Sequence, residues 1–247
     1  CFHNAEPSNS YVAFPQFEFT LGENYNQLSS YLKGIFNLKA EEKFYKYIYE
    51  NNYPSVMETS GEPLIPRLVH FVGEASSDLN KWQSIMKGYQ IKYWDKKKIN
   101  QLLLMNNFDE ISDQNLANLI ASLIILRDEG GLLVRDASLL PTANVDDLVY
   151  QYSLILVMRP AEGLKGHLTI FDKIIAAKKQ NIFITKLLSL LKDPSQKVES
   201  TEMLMSLFSK LVTEFYPLDK RLFISPASFF LSDEAAMSYT YYEKPTR

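Results

Sequence analysis

This sequence has a single cysteine, residue 1, so no disulfide can form within the chain. No apolar run approaches the ~20 residues that a membrane-spanning helix needs. The nearest stretch, residues 116–126, is too short and carries Asn118 and Ser122. There is no surplus of positive charge. The 26 Lys and Arg against 29 Asp and Glu give a formal charge of −3, which supplies no field to attract nucleic acid. The three histidines, His3, His70 and His167, are too far apart for metal-ligand spacing. No serine stands in a Gly-x-Ser-x-Gly setting, so a nucleophile elbow is absent. Gly130-Gly131 runs into Leu132-Leu133-Val134 instead of a helix start, so it is no phosphate-cradling loop. Repeats and low-complexity segments are absent too.

What is present is a globular composition. With 46% hydrophobic residues and little net charge, the bulk of the chain is not disordered. Its 247 residues suffice for one large domain or two small ones. Residues 1–20 lack helical periodicity and read as a tail or tether. Residues 25–55 read as a helical segment, because Leu28, Leu32, Ile35 and Phe36, then Phe44, Tyr45, Ile48 and Tyr49, recur at helical spacing. Residues 64–247 read as the main domain. Strands are expected at 66–72, 90–94, 132–134, 154–158 and 222–225, and helices at 78–88, 96–105, 113–129, 180–192 and 200–215. Such alternation predicts an α/β domain with a mainly parallel sheet.

Several residues have a plain reading. The helix at 113–129 is apolar on more than one face and should be largely buried, with Gly130-Gly131 free to take a left-handed cap. His70, inside an apolar strand, reads as a hydrogen-bonded core residue before a base. Trp82 and Trp94 read as core packing, and Lys96-Lys97-Lys98 as a solvated helix start. Asp136 follows the strand at 132–134, and strand C-termini are where α/β folds place ligands. Its plain alternative is a turn residue that caps backbone N–H groups.

Residues 65–72, Ile-Pro-Arg-Leu-Val-His-Phe-Val, together with Trp82, Tyr93-Trp94-Asp95, the helix-Gly-Gly run 117–131 and the segment 132–141, carry a resemblance to a known family. They resemble the opening strand, the next helix, the "Y-x-x-W-D" strand and the "A-x-SD-x-x-R…GG…IYLDxDxxxxP" region of glycosyltransferases with a DXD sugar-binding region. That class includes mannosyltransferases and the large clostridial glucosylating toxins. The resemblance spans roughly residues 64–230. It implies a GT-A domain, a Rossmann-like nucleotide-sugar sandwich, here preceded by an N-terminal helical segment. It also implies that Val72, Gly73, Asn118, Leu119, Ser122 and Arg135 occupy substrate-binding positions.

At those positions the chain departs from the family. The "SD" pair is Asn118-Leu119, the arginine is Ser122, the opening-strand tryptophan is Gly73, and the DXD pair falls on Arg135-Asp136-Ala137. A shift of one residue places it on Asp136-Ala137-Ser138, leaving Asp136 as the catalytic candidate and Asp136 with Ser138 as the metal candidates. The resemblance therefore implies a degenerate site with no cofactor: a pseudo-glycosyltransferase that acts by binding a nucleotide sugar, a glycan or a protein. The alternative is a divergent active enzyme that uses Mn²⁺ or Mg²⁺ on Asp136, or no metal, with Arg135 on the diphosphate. A pocket lined by Leu119, Leu133 and Ala137 would be more apolar than in active relatives, with Gly73 opening space. Arg135 is expected to close it as a part-exposed gate, through an ion pair with Asp136 or another carboxylate, worth ~1 kcal/mol or less. Cys1 before a polar tail resembles a processed bacterial lipoprotein, which implies export and membrane anchoring at the cell envelope. The other reading of Cys1 is an internal residue of a longer chain.

Overall fold

A computed structural model describes residues 44, 61–141, 145–158, 170–219 and 221–225. Strands β1 (Leu68–Val72), β2 (Gln90–Trp94), β3 (Gly131–Val134), β4 (Leu154–Met158), β5 (Ile170–Ala177) and β6 (Leu222–Ser225) form one sheet in the order β2-β1-β3-β5-β4-β6. Between them run helices α1 (Leu79–Ile85), α2 (Lys96–Met105), α3 (Gln114–Asp128), α4 (Asp146–Val149), α5 (Ile182–Leu191) and α6 (Thr201–Phe215). Strands β1 and β2, β1 and β3, and β4 and β6 pair in parallel; β5 alone runs against both its neighbours. The mainly parallel sheet is as the alternation predicts, and the mixed α/β layering is consistent with the GT-A-like sandwich that the resemblance implies.

Side chains divide between the two faces as the strand period requires. Val69, Phe71, Leu132, Val134, Ile155, Val157 and Phe223 point to one face, where they meet Trp82 of α1 and Leu148 of α4. Leu133, Leu154, Leu156, Ile175, Leu222 and Ile224 point to the other, under α2, α3, α5 and α6. Trp82 is fixed by an edge-on contact with Phe71 at 5.3 Å and by its indole N–H donating to the Leu139 carbonyl at 3.0 Å. Phe44 is helical, fully buried, and meets Tyr216 edge-on at 5.4 Å. The rest of the expected helical segment 25–55, the tail 1–20, His3 and His167 lie outside the described residues.

Helix α3 is the largest contributor to the second core, with ten buried residues from Leu116 to Leu126. An aspartate starts it: the Asp113 carboxylate accepts from the N–H groups of Asn115 at 2.9 Å and Leu116 at 3.3 Å. Two of the four orphan donors of the first turn are thereby satisfied. Asp113→Ala should lower the unfolding free energy by about 1 kcal/mol, read from the urea midpoint. At its other end Gly130 takes φ +68°, the left-handed turn, and its N–H bonds back to Leu126 at 3.0 Å.

Strand β5 and helix α4 are the elements the sequence pattern does not announce. Asp172 and Lys173 break the apolar run of β5, so neither a strand nor a helix period stands out there. Four residues are too few to show a helical period in α4.

Candidate functional site

The parallel strands β1, β2 and β3 all deliver their C-terminal ends to one edge, facing the N-terminus of α3. Here Gly73 follows β1, Asp95 follows β2, and Arg135-Asp136-Ala137-Ser138 follow β3. The edge is joined by backbone bonds: Gly73 N–H donates to the Trp94 carbonyl at 3.0 Å, and Ser77 N–H donates to the Ala137 carbonyl at 3.1 Å. The Ser77 hydroxyl donates to that same carbonyl at 3.2 Å. The loop after β1 is thus tied down onto the loop after β3.

Arg135 is the central group. Its backbone N–H donates to the Lys173 carbonyl at 2.8 Å, which extends the β3–β5 ladder by one residue. Its side chain is only 2% exposed. Nη1 donates to the Asp172 carbonyl and to Asp172 Oδ2, both at 3.0 Å. Nη2 donates to the Asn115 carbonyl at 3.0 Å and to Asn115 Oδ1 at 2.9 Å. Four bonds occupy both terminal nitrogens, and only Nε is left buried without a partner. Burial pushes the guanidinium pKa down, and the Asp172 carboxylate opposes that shift. The expected internal ion pair is present, but as a buried cross-brace from β3 to β5 and α3 and not as a part-exposed gate on Asp136. The physical reason is reach: a side chain leaving the last strand position toward the helix face meets Asn115 and Asp172, while Asp136 turns away into the loop.

Asp136 takes its plain role. Its carboxylate accepts from the Ser138 N–H at 2.9 Å and from the Ser138 hydroxyl at 2.6 Å, a side-chain-closed turn at the strand end. The space expected above Gly73 is filled. Gly73 has φ +91°, and a Cβ placed there would meet Asn118 Nδ2 at 2.8 Å. Asn118 Oδ1 in turn accepts from Gln114 Nε2 at 2.7 Å. Val72, Leu119 and Leu133 are packed in the core, with Leu119 and Leu133 fully buried. Ser122 is also fully buried and donates its hydroxyl to the Asn118 carbonyl at 2.6 Å. Thus Gly73, Asn118 and the 135–138 turn share the edge, whereas Leu119 and Ser122 lie beneath it.

Two residues of the cluster were not candidates. Asp172 lies on the unannounced strand β5, where a charge inside an apolar run was the available signal. Asn115 gave none, because a first-turn asparagine resembles any other helix start.

A divalent ion needs several oxygen ligands. At this edge Arg135 is a buried cation, and the Asp136 carboxylate accepts from Ser138. Among the described residues no group of three His, Cys, Asp or Glu side chains stands close enough together to hold a metal ion.

The fold and this edge define a mixed α/β sandwich whose central strand ends in an internal arginine brace. No family model matches the sequence, and no curated protein matches it. Among solved structures, a chain titled PaToxG Glycosyltransferase is similar at 16% identity and a TM-score of 0.42, over 79% of this chain and 81% of that one.

Proposed function

We propose that this chain is a pseudo-glycosyltransferase, a glycosyltransferase-like sandwich that acts by binding a glycan or protein and not by transferring a sugar. The observation that supports this reading is the Arg135 brace. Both terminal nitrogens of Arg135 are already committed to Asp172 and Asn115, so the guanidinium has no free Nη donor for a diphosphate. It also repels the ion that a departing nucleoside diphosphate would need. The tie between Ser77 and Ala137 and the Asn118 side chain over Gly73 fill the same edge.

The test is thermal unfolding with millimolar Mn²⁺ or Mg²⁺, with and without UDP, beside an assay for hydrolysis of UDP- and GDP-sugars. A ligand present at 100-fold its Kd would stabilise by about 2.7 kcal/mol. For a domain of this size that moves the Tm by several degrees. The expected result is no shift and no turnover. Sugar hydrolysis by the unmutated protein that is lost in Asp136→Ala would overturn the reading in favour of a divergent enzyme.

A further inference from the structure

His70 is a buried titratable group that the strand-end cluster does not use. It lies on β1 with no solvent exposure, on the face that α3 covers. Both ring nitrogens are held. Nε2 is 2.8 Å from the Gly130 carbonyl oxygen, and the Trp94 indole N–H meets Nδ1 at 3.1 Å. A carbonyl can only accept and an indole N–H can only donate. The contacts therefore fix one tautomer, with the proton on Nε2 and a lone pair on Nδ1. The ring joins three elements: β1, the end of β2, and the turn between α3 and β3.

We propose that His70 is an acid-sensitive latch, which holds Trp94 at the rim of the strand-end cluster only while the imidazole is neutral. Protonation puts a hydrogen on Nδ1, so two N–H donors face each other where one bond stood, and the indole must move away. Trp94 is well placed to pass that on. Its carbonyl accepts the Gly73 N–H at 3.0 Å, and the next residue, Asp95, starts α2 by accepting from the Lys98 N–H at 2.9 Å. Release therefore loosens Gly73 and the first turn of α2 together. The charged groups that act on the ring are Lys92 of β2 and Glu129 at the end of α3, which pair with each other. Glu129 favours the imidazolium and Lys92 disfavours it; Gly131 and Leu133 of β3, on the remaining side, carry no titratable group. Burial is the largest influence and holds the ring below the ordinary histidine value. The latch is therefore closed at neutral pH and opens only below about 6.5. It does not depend on the pseudo-glycosyltransferase reading, since a chain that transferred sugar would carry the same contacts.

The experiment follows the His70 ring carbons and the Trp94 indole N–H by NMR as the pH of the full chain is lowered. Trp94→Phe and Trp82→Phe assign the two indole signals. The expected result is one shared midpoint below the ordinary histidine value, at which the Trp94 indole N–H loses its shifted position and its protection from exchange. In His70→Gln, whose amide does not titrate, the Trp94 step should vanish. A Trp94 signal that stays fixed while His70 titrates, or that moves equally in His70→Gln, would overturn the proposal. If His70→Gln does not fold, the shared or separate midpoints in the unmutated chain decide the matter alone.

Discussion

Asp172→Ala is expected to lower the unfolding free energy by about 3–5 kcal/mol, the usual cost of stranding one member of a buried ion pair. Arg135 is the member that cannot escape. Its side chain is 2% exposed against 18% for Asp172, and a guanidinium does not shed its proton. Without the Asp172 carboxylate, Nη1 keeps only the backbone carbonyl of residue 172, and the positive charge stays buried beside an unpartnered Nε. Arg135→Met removes the charge instead and keeps most of the volume. It leaves the Asn115 oxygens at the helix start and a carboxylate that already reaches water and has Lys173 Nζ at 4.0 Å, so its cost should be the smaller of the two. The double variant Arg135→Met with Asp172→Leu should recover much of the Asp172→Ala loss, because an apolar pair of similar volume carries no desolvation cost. Urea unfolding measures all three, with an unchanged m-value showing that the midpoint reports stability. If Asp172→Ala stays within about 1 kcal/mol of the unmutated protein, Arg135 reaches water as an exposed pair does. The support for the pseudo-glycosyltransferase reading then goes too.

The elements legible in the sequence share one property: their own residues decide them. Strand β2 reads at its true limits because Gln90–Trp94 alternates between two prolonged helical patterns. The helices announce themselves by caps as well as by period, since Asp78, Asp95, Asp113, Asn181 and Ser200 each accept a backbone N–H from the first turn. The plain reading of His70 was legible for the same reason, because an imidazole within an apolar strand must find partners nearby. Strand β5 was hidden because its identity is set by its neighbours. Asp172 sits there against Arg135, 37 residues earlier, which donates to its carboxylate. The strand-end cluster was half legible. The sequence placed Gly73, Asn118 and Arg135 among the candidates, but the partner of each is a tertiary fact: Asn118 over Gly73, and Asn115 and Asp172 around Arg135. Spacing along the chain says which residues reach an edge, and only packing says what they meet there.

The Gly-Gly pair that ends α3 is where local and tertiary demands coincide, and Gly131→Ala should be among the most damaging single changes in the described domain. Gly131 opens the central strand with φ +114°, outside the range that side-chain-bearing residues prefer. A Cβ there would stand 2.8 Å from the Leu68 carbonyl oxygen, 2.9 Å from Leu68 Cβ and 3.2 Å from His70 Nε2. The first of these atoms is backbone of the neighbouring strand β1 and cannot turn aside. The positive φ costs about 1–2 kcal/mol for an L residue. Overpacking against an immobile neighbour adds about 1–3 kcal/mol, so a total of about 2–5 kcal/mol is expected. Gly61→Ala separates the two contributions, because Gly61 has φ +80° but nothing within 4 Å of an added Cβ. It should show the conformational cost alone. In a domain of this size each kcal/mol lowers the Tm by about 2–4 °C, so paired thermal scans resolve the difference. Equal losses in the two variants would mean that β1 and β3 do not approach closely at Gly131. A larger loss in Gly131→Ala, accompanied by a change in the Trp94 indole signal, would show the strand being pushed off His70 as well as off Leu68.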